Sequence, residues 1–202
     1  MALGPDIKEV IEETGTPITI FRTPTNITGE FAKTKTNSQV TKPFIREFFL
    51  EALLPHDTSV VAGDWIQTAD GRVFVVMNMT PTVFEGETYS NSVVLYKCNT
   101  TGKVKRQSIT RVNYSPQVAW DDVVDPCYAL VTESLYGNEL DDDTRVGRVT
   151  LKSYDCYLPS SKGVKKGDRF WISADEYYVV ENISSRRFDS VDLLTLGEDN
   201  RG

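Results

Sequence analysis

Residues Leu54–Asn78 read LPHDTSVVAGDWIQTADGRVFVVMN, and residues Leu158–Asn182 read LPSSKGVKKGDRFWISADEYYVVEN. Laid side by side they match at a constant offset of 104 residues with no gap. Leu54-Pro55 meets Leu158-Pro159, Val60 meets Val164, and Gly63-Asp64 meets Gly167-Asp168. Downstream, Phe74-Val75-Val76 meets Tyr178-Val179-Val180, and Asn78-Met79-Thr80 meets Asn182-Ile183-Ser184. Self-similarity at one fixed spacing indicates a duplicated structural unit, so a reading of either copy constrains the other.

The unit has the chemistry of a β scaffold. Glycine tolerates positive φ and an aspartate carboxylate accepts nearby backbone N–H groups, so Gly63-Asp64 and Gly167-Asp168 are structural turns. A strand follows each, Trp65–Thr68 and Arg169–Ser173. Asp70-Gly71 predicts a two-residue hairpin turn, answered by Ala174-Asp175-Glu176. The return strands, Arg72–Met77 and Tyr177–Glu181, are dense in β-branched and aromatic residues. Closing strands run from Ser92 to Cys98 and from Ser190 to Leu196.

The repeat also resolves an ambiguity. Phe44–Leu54 has the periodicity of an amphipathic helix. Its counterpart Arg148–Leu158 alternates, with Tyr154, Cys156 and Leu158 on one face, where copy one has Leu50, Ala52 and Leu54. Both segments are therefore expected to be strands. Opening strands are expected at Pro17–Arg22 and Tyr128–Leu135, and a short helix precedes the first copy. In that helix Ile7, Val10 and Ile11 form an apolar stripe, Asp6 lies in the first turn and Gly15 caps the end. Thr100–Pro116, polar and basic, reads as the end of copy one running into a connection. The expectation is a mainly β chain of two tandem small β-barrels, SH3-like in scale: residues 1–110 with the helix, and residues 111–202.

Composition narrows the function. A 202-residue chain with 40% hydrophobic residues can bury two small cores, and its net charge of −7 argues against a surface built to grip nucleic acid. No run approaches the length of a membrane helix, and Met1–Lys8 lacks the features of a signal peptide, so a cytoplasmic place of assembly is expected. The Asn-x-Ser/Thr triplets at Asn26, Asn78, Asn99, Asn113 and Asn182 then read as turn chemistry. Cys98, Cys127 and Cys156 with the single histidine, His56, lack metal-site spacing and read as reduced thiols and an exposed loop residue.

No nucleophile motif, zinc-protease motif or phosphate-binding glycine loop is present, and no cofactor is expected. The acidic run Glu139, Asp141, Asp142 and Asp143 lacks the spacing of a calcium loop, and Asp121, Asp122 and Asp125 read likewise as hydrated turns. Lys103, Lys105, Arg106 and Arg111, and Lys162, Lys165, Lys166 and Arg169, form modest basic groups suited to acidic neighbours.

Where the copies differ, partner-specific work is expected. Thr23–Val40, with Phe31, Lys33 and Lys35, and Pro81–Asn91, with Phe84 and Tyr89, are read as long loops that reach a neighbour or a lumen. The second is judged six residues longer than its counterpart, since Asn78 to Val93 spans 15 steps and Asn182 to Val191 spans 9. Arg186-Arg187 occupies the shorter loop of copy two.

A Gly-Asp turn, an apolar strand, a second turn and an aromatic-Val-Val strand together resemble the small barrels of tailed-bacteriophage neck proteins, the head-closure (stopper) and head–tail connector family. The resemblance rests on Gly63-Asp64-Trp65-Ile66 with Asp70-Gly71-Arg72-Val73-Phe74-Val75-Val76, and on Gly167-Asp168-Arg169-Phe170 with Tyr177-Tyr178-Val179-Val180. It covers about half the chain, and the chain departs from the family in being doubled. The resemblance implies stopper-like barrels and a non-enzymatic, homo-oligomeric ring, six-fold or pseudo-six-fold. Such a ring sits in the virion neck, joins the portal or adaptor to the tail proteins, closes the DNA channel, and touches packaged DNA passively. Two other readings stay open: a different tail, baseplate or decoration component, and a tandem SH3-like ligand-binding module. The latter would expose an aromatic groove, whereas Trp65, Trp120 and Trp171 are spread along the chain.

Overall fold

The computed structural model describes residues 3–35, 47–112, 114–133, 153–199 and 201. One helix, α1 (Leu3–Thr14), precedes two closed six-stranded antiparallel β-barrels. The first comprises β1 (Thr16–Phe21), β2 (Ile27–Lys35), β3 (Phe49–Pro55), β4 (Trp65–Thr68), β5 (Val73–Phe84) and β6 (Glu87–Lys97). The second comprises β7 (Thr100–Val112), β8 (Ser115–Glu133), β9 (Tyr154–Pro159), β10 (Arg169–Trp171), β11 (Tyr177–Ser184) and β12 (Val191–Glu198). Around the first barrel the order is β1-β2-β3-β6-β5-β4, and around the second β7-β8-β9-β12-β11-β10, the same circuit strand for strand.

Register confirms the duplication residue by residue. In barrel one Phe21, Ile20 and Thr19 face Trp65, Ile66 and Gln67, and in barrel two Lys105, Val104 and Lys103 face Arg169, Phe170 and Trp171. Thr16 opposite Ala32 is answered by Thr100 opposite Ala129. Even the bulge recurs: the β5–β6 ladder slips between Val76 and Asn78, and the β11–β12 ladder between Val180 and Asn182. A bulge leaves one residue unpaired and bends its strand, so its recurrence at one place marks a shared closing geometry.

The core repeats with substitutions. Barrel one is filled by Ile18, Ile20, Ala32, Ala52, Leu54, Val60, Ile66, Phe74, Val76, Val93 and Leu95. At the equivalent places barrel two buries Val104, Ala129, Cys156, Leu158, Val164, Phe170, Val180, Leu194 and Leu196. Phe170 is larger than its counterpart Ile66, and Gly102 stands where barrel one has Ile18. A Cβ on Gly102 would run into the Trp171 carbonyl, so the backbones there approach too closely for any side chain.

Several expectations change. The chain divides into compact units of residues 1–98 with 188–191 and residues 99–187 with 192–202, so the expected 110/111 boundary falls inside β7. Thr100–Pro116 is no connection: it holds the first strand of barrel two and the turn into the next. Tyr128–Leu135 does not open the second copy; through Glu133 it is the end of β8, and residues 134 and 135 lie outside the described residues. The constant offset conceals this because the first two strands are spaced differently in the two copies.

Phe49–Pro55 and Tyr154–Pro159 are strands as expected, but Glu47 and Phe48 are helical rather than extended, and residues 44–46 and 148–152 lie outside the described residues. Thr23–Val40 is not one loop, since β2 occupies Ile27–Lys35; residues 36–40 lie outside the described residues. In α1, Ile11 is buried and Ile7 half-buried, but Val10 is 48% exposed. Gly15 ends the helix, its N–H donating to the Ile11 carbonyl at 2.8 Å.

Candidate functional site

Each barrel is locked by the same clasp. The N–H of Gly63 donates to the Val76 carbonyl at 2.7 Å, and that of Gly167 to the Val180 carbonyl at 2.8 Å. Both glycines sit at positive φ, 85° and 89°, which aims the next carboxylate back over the turn. Asp64 Oδ2 accepts from the Val61 N–H at 2.9 Å, and Asp168 Oδ2 from the Lys165 N–H at 2.8 Å. An arginine completes each clasp. Arg22 donates through Nε and Nη2 to the two oxygens of Asp64 at 3.1 and 2.6 Å, and through Nη2 to the Ser59 carbonyl at 2.7 Å. Arg106 donates in the same way to Asp168 at 2.8 and 2.7 Å and to the Gly163 carbonyl at 2.9 Å.

Bidentate guanidinium–carboxylate pairs are strong and geometrically specific, so the clasp fixes the first strand against the turn. Its arginine carries no signal in the sequence that ties it to the Gly-Asp turn. Arg22 precedes Asp64 by 42 residues, whereas Arg106 precedes Asp168 by 62, so the two arginines do not align at the offset that reveals the repeat.

Asp70-Gly71 is a turn, but a three-residue one. The Gly71 N–H donates to the Thr68 carbonyl at 2.9 Å, the Thr68 N–H donates to the Arg72 carbonyl at 3.0 Å, and Gly71 lies at φ 84°. That is a type I turn followed by a left-handed glycine, one of the common hairpin connections. Hydrogen bonds from Arg72 and from the Thr68 hydroxyl hold the Asp70 carboxyl well below the ordinary carboxylate range.

Of the expected functional loops, Pro81–Asn91 and the described part of Thr23–Val40 are largely strand, whereas Arg186-Arg187 lies in a loop. Pro81–Asn91 is the distal part of the β5–β6 hairpin, turning at Glu85-Gly86 with both residues at positive φ, 49° and 87°. Since Leu95 pairs with Val76 and Leu196 with Val180, the excess over barrel two is three residues rather than six. Phe84 is 52% and Val83 54% exposed at its tip, and Tyr89 is half-buried. Phe31 and Lys33 are half-buried in β2, opposite Pro17 and Leu53, and Lys35 is exposed opposite Glu51. Arg186 and Arg187 are exposed after β11. Burial raises the pKa of Asp155, and the charge of Arg187 partly opposes it.

A larger arm lies where Thr100–Pro116 reads in sequence as a connection. β7 and β8 have 13 and 19 residues against 6 and 9 for β1 and β2, and the surplus forms a two-stranded ribbon. Gln107–Val112 pair with Ser115–Trp120, with Ile109 opposite Val118 and Arg111 opposite Pro116. Ile109 is 66% exposed, Val118 56%, and Tyr114 at the turn is fully exposed.

The base of this arm is anchored. Arg169 stacks its guanidinium 3.9 Å over the Trp120 ring and 4.4 Å over Tyr177, and pairs with Asp199 at 2.6 Å. Arg201 adds a second bond to Asp199 at 2.8 Å. Burial opposes ionisation of Asp199, but the hydrogen bonds from Arg201 and Arg169 prevail and hold its pKa at about 2.

The remaining chemistry is dispersed. His56 is half-buried, not an exposed loop residue; its ring packs against Gly4 of α1 and its Nδ1 is buried without a hydrogen-bond partner. Cys127 and Cys156 are buried, and burial pushes the Cys98 thiol up to about 12. Among the described residues no group of three or more His, Cys, Asp or Glu is placed to hold a metal ion, and no helix is long and apolar enough to cross a membrane. Residues 139–143 lie outside the described residues. Asp122 and Asp125 are engaged by lysines, Lys103 lying 2.5 Å from Asp125 and Lys105 lying 3.7 Å from Asp122. Trp65 is buried, and Trp171 lies 4.7 Å beneath the Lys105 ammonium.

No protein-family model and no curated protein matches the chain. Among solved structures, K. pneumonia MrkH in its apo state is similar at a TM-score of 0.21 and 12% identity, over 98% of this chain and 83% of that one. A P2(1) crystal of K. pneumonia MrkH is similar at a TM-score of 0.20 and 12% identity, over 99% and 84%. Similarity at this level carries no argument about fold or function.

Proposed function

We propose that this chain is a non-enzymatic structural protein that self-assembles into a ring, and that the ring is a layer of a tailed-phage neck, between portal and tail. The observation that carries this reading is the pairing of two edge-free barrels with hairpins that extend beyond them. Closing a sheet removes the free strands through which β proteins associate indiscriminately. Contacts are then confined to what projects, here the β5–β6 and β7–β8 arms with their exposed Phe84, Ile109, Val118 and Tyr114. Ring-forming parts need that combination, a rigid body that does not stick and a few elements that do.

The charge supports passive contact with packaged DNA. A ring of chains each carrying −7 repels the phosphate backbone, so DNA slides past without being gripped. Six-fold or pseudo-six-fold closure, portal or adaptor and tail proteins as neighbours, and assembly in the host cytoplasm follow from the resemblance to neck proteins. Antibody labelling of purified virions tests the assignment. Label at the junction of head and tail is the expected result; label along the tail, on the baseplate or on the capsid face contradicts it.

A further inference from the structure

Resting on the assembly role just described, we propose that the apolar face of the β7–β8 arm of one copy docks on the tip of the β5–β6 arm of a second copy. This is the head-to-tail contact from which the assembly grows.

The β7–β8 ribbon is two-faced because side chains alternate along a strand. The cross-strand pairs Gln107–Trp120, Ile109–Val118 and Arg111–Pro116 share one face. Ser108–Ala119 and Thr110–Gln117 share the other. One face thus carries four apolar side chains, one amide and a single cation, the other mostly polar ones, yet Ile109 and Val118 stand in solvent.

The edges of the ribbon are open as well. β7 pairs with β10 only at Lys103–Lys105, and β8 pairs with β9 only at Leu130–Glu133, so among the described residues nothing pairs with the distal edges. A two-stranded ribbon is marginally stable alone in water, and open apolar strands invite pairing.

The complement is on the same chain. The β5–β6 tip presents Val83 and Phe84 beside Glu85 and Glu87, all exposed. β5 pairs with β4 only as far as Val75, which leaves the stretch from Asn78 to Phe84 with one open edge among the described residues. Arg111 on one arm and Glu85 and Glu87 on the other have no ion-pair partner among the described residues. An apolar face with a cation thus matches an apolar tip with two anions. Nucleic acid fits neither, since one arm is acidic and the other offers one cation. The two patches differ, so the contact is heterologous, and a heterologous contact closes into a ring when its rotation permits.

Two variants test this by mass measurement at matched concentration. Val83→Ser with Phe84→Ser blunts the first arm, and Ile109→Ser with Val118→Ser blunts the second. Both alter exposed positions, and an unchanged melting temperature verifies each fold. The expected result is an oligomer for the wild type, monomers for each variant alone, and a 1:1 heterodimer and nothing larger when the variants are mixed. Arg111→Glu weakens wild-type association about fivefold, and adding Glu87→Arg restores it.

Variants that oligomerise like the wild type overturn the arm contact while leaving self-assembly intact. Loss of oligomer in both variants without a heterodimer on mixing also overturns the pairing. A wild type that stays monomeric overturns this contact and self-assembly together.

Discussion

Barrel one and barrel two solve the same packing problem with the same circuit, but they treat one corner of it oppositely. Register places Cys98 and Trp65 of barrel one at the positions of Asp199 and Arg169 in barrel two. The first barrel keeps that corner apolar, with Trp65 buried and the Cys98 thiol held neutral by burial. The second places an ion pair there, with side chains only 11% and 1% exposed, and roofs it with Trp120, the last residue of the arm. A buried pair contributes little net stability, because desolvation offsets attraction, but it fixes geometry tightly. The contrast teaches that barrel two exchanges an apolar corner for an ionic one where it must hold a long ribbon at a set angle.

The largest effect is expected from breaking that corner. Asp199→Ala leaves Arg169 buried without its carboxylate and should cost about 3 kcal/mol in denaturant unfolding of barrel two. Barrel one should be untouched. The same corner predicts an acid dependence of the second barrel that Asp199→Ala removes. The Asp199 pKa is held at about 2, below its ordinary value of 3.8, so its contribution is full above pH 4. That contribution is lost as pH falls through 4 towards 2. A pH series of unfolding, followed by a probe in barrel two, checks it; an acid sensitivity unchanged in Asp199→Ala would break the comparison.

Cutting the clasps comes next. Asp168→Ala should cost about 2–3 kcal/mol, and Asp64→Ala somewhat less, because the Asp168 side chain is 3% exposed and that of Asp64 11%. Thermal unfolding of the two variants gives the order. Gly167→Ala isolates the backbone contribution, since an added Cβ meets nothing within 4 Å and only the positive φ resists it. About 1–2 kcal/mol is expected, read as a lowered melting temperature.

The smallest effect should have the opposite sign. Asn91 in β6 donates to the Pro55 carbonyl at 2.9 Å, and its counterpart in β12 is Asp192, whose buried Oδ1 has no hydrogen-bond partner. Asp192→Asn supplies the amide that barrel one uses and should stabilise by about 1 kcal/mol. A loss of stability would show that the two positions are not equivalent.

The sequence made the barrel scaffold legible only where spacing is conserved. From Leu54 to Asn78 the copies run without a gap, so the turns, the hairpin and the return strand could be read by comparison. The first strand of barrel two could not, because the longer β7–β8 hairpin shifts it out of register with its twin; polar, basic Thr100–Val112 then reads as a connection. The arms were hidden for a related reason. Ile109 and Val118 look ordinary in sequence, and only their pairing across a ribbon with nothing packed on it makes them a surface. Phe84 is legible in the sequence because an aromatic residue among polar neighbours in an unmatched segment stands out on its own.

Native-state hydrogen exchange at four amides tests the shared scaffold most directly. Gly63 and Val76 in barrel one, and Gly167 and Val180 in barrel two, donate the N–H groups that tie each Gly-Asp turn to its return strand. The account predicts that all four exchange only through global opening of their own barrel, with matched protection within each pair. Fast, loop-like exchange at one pair while the other stays protected would contradict it.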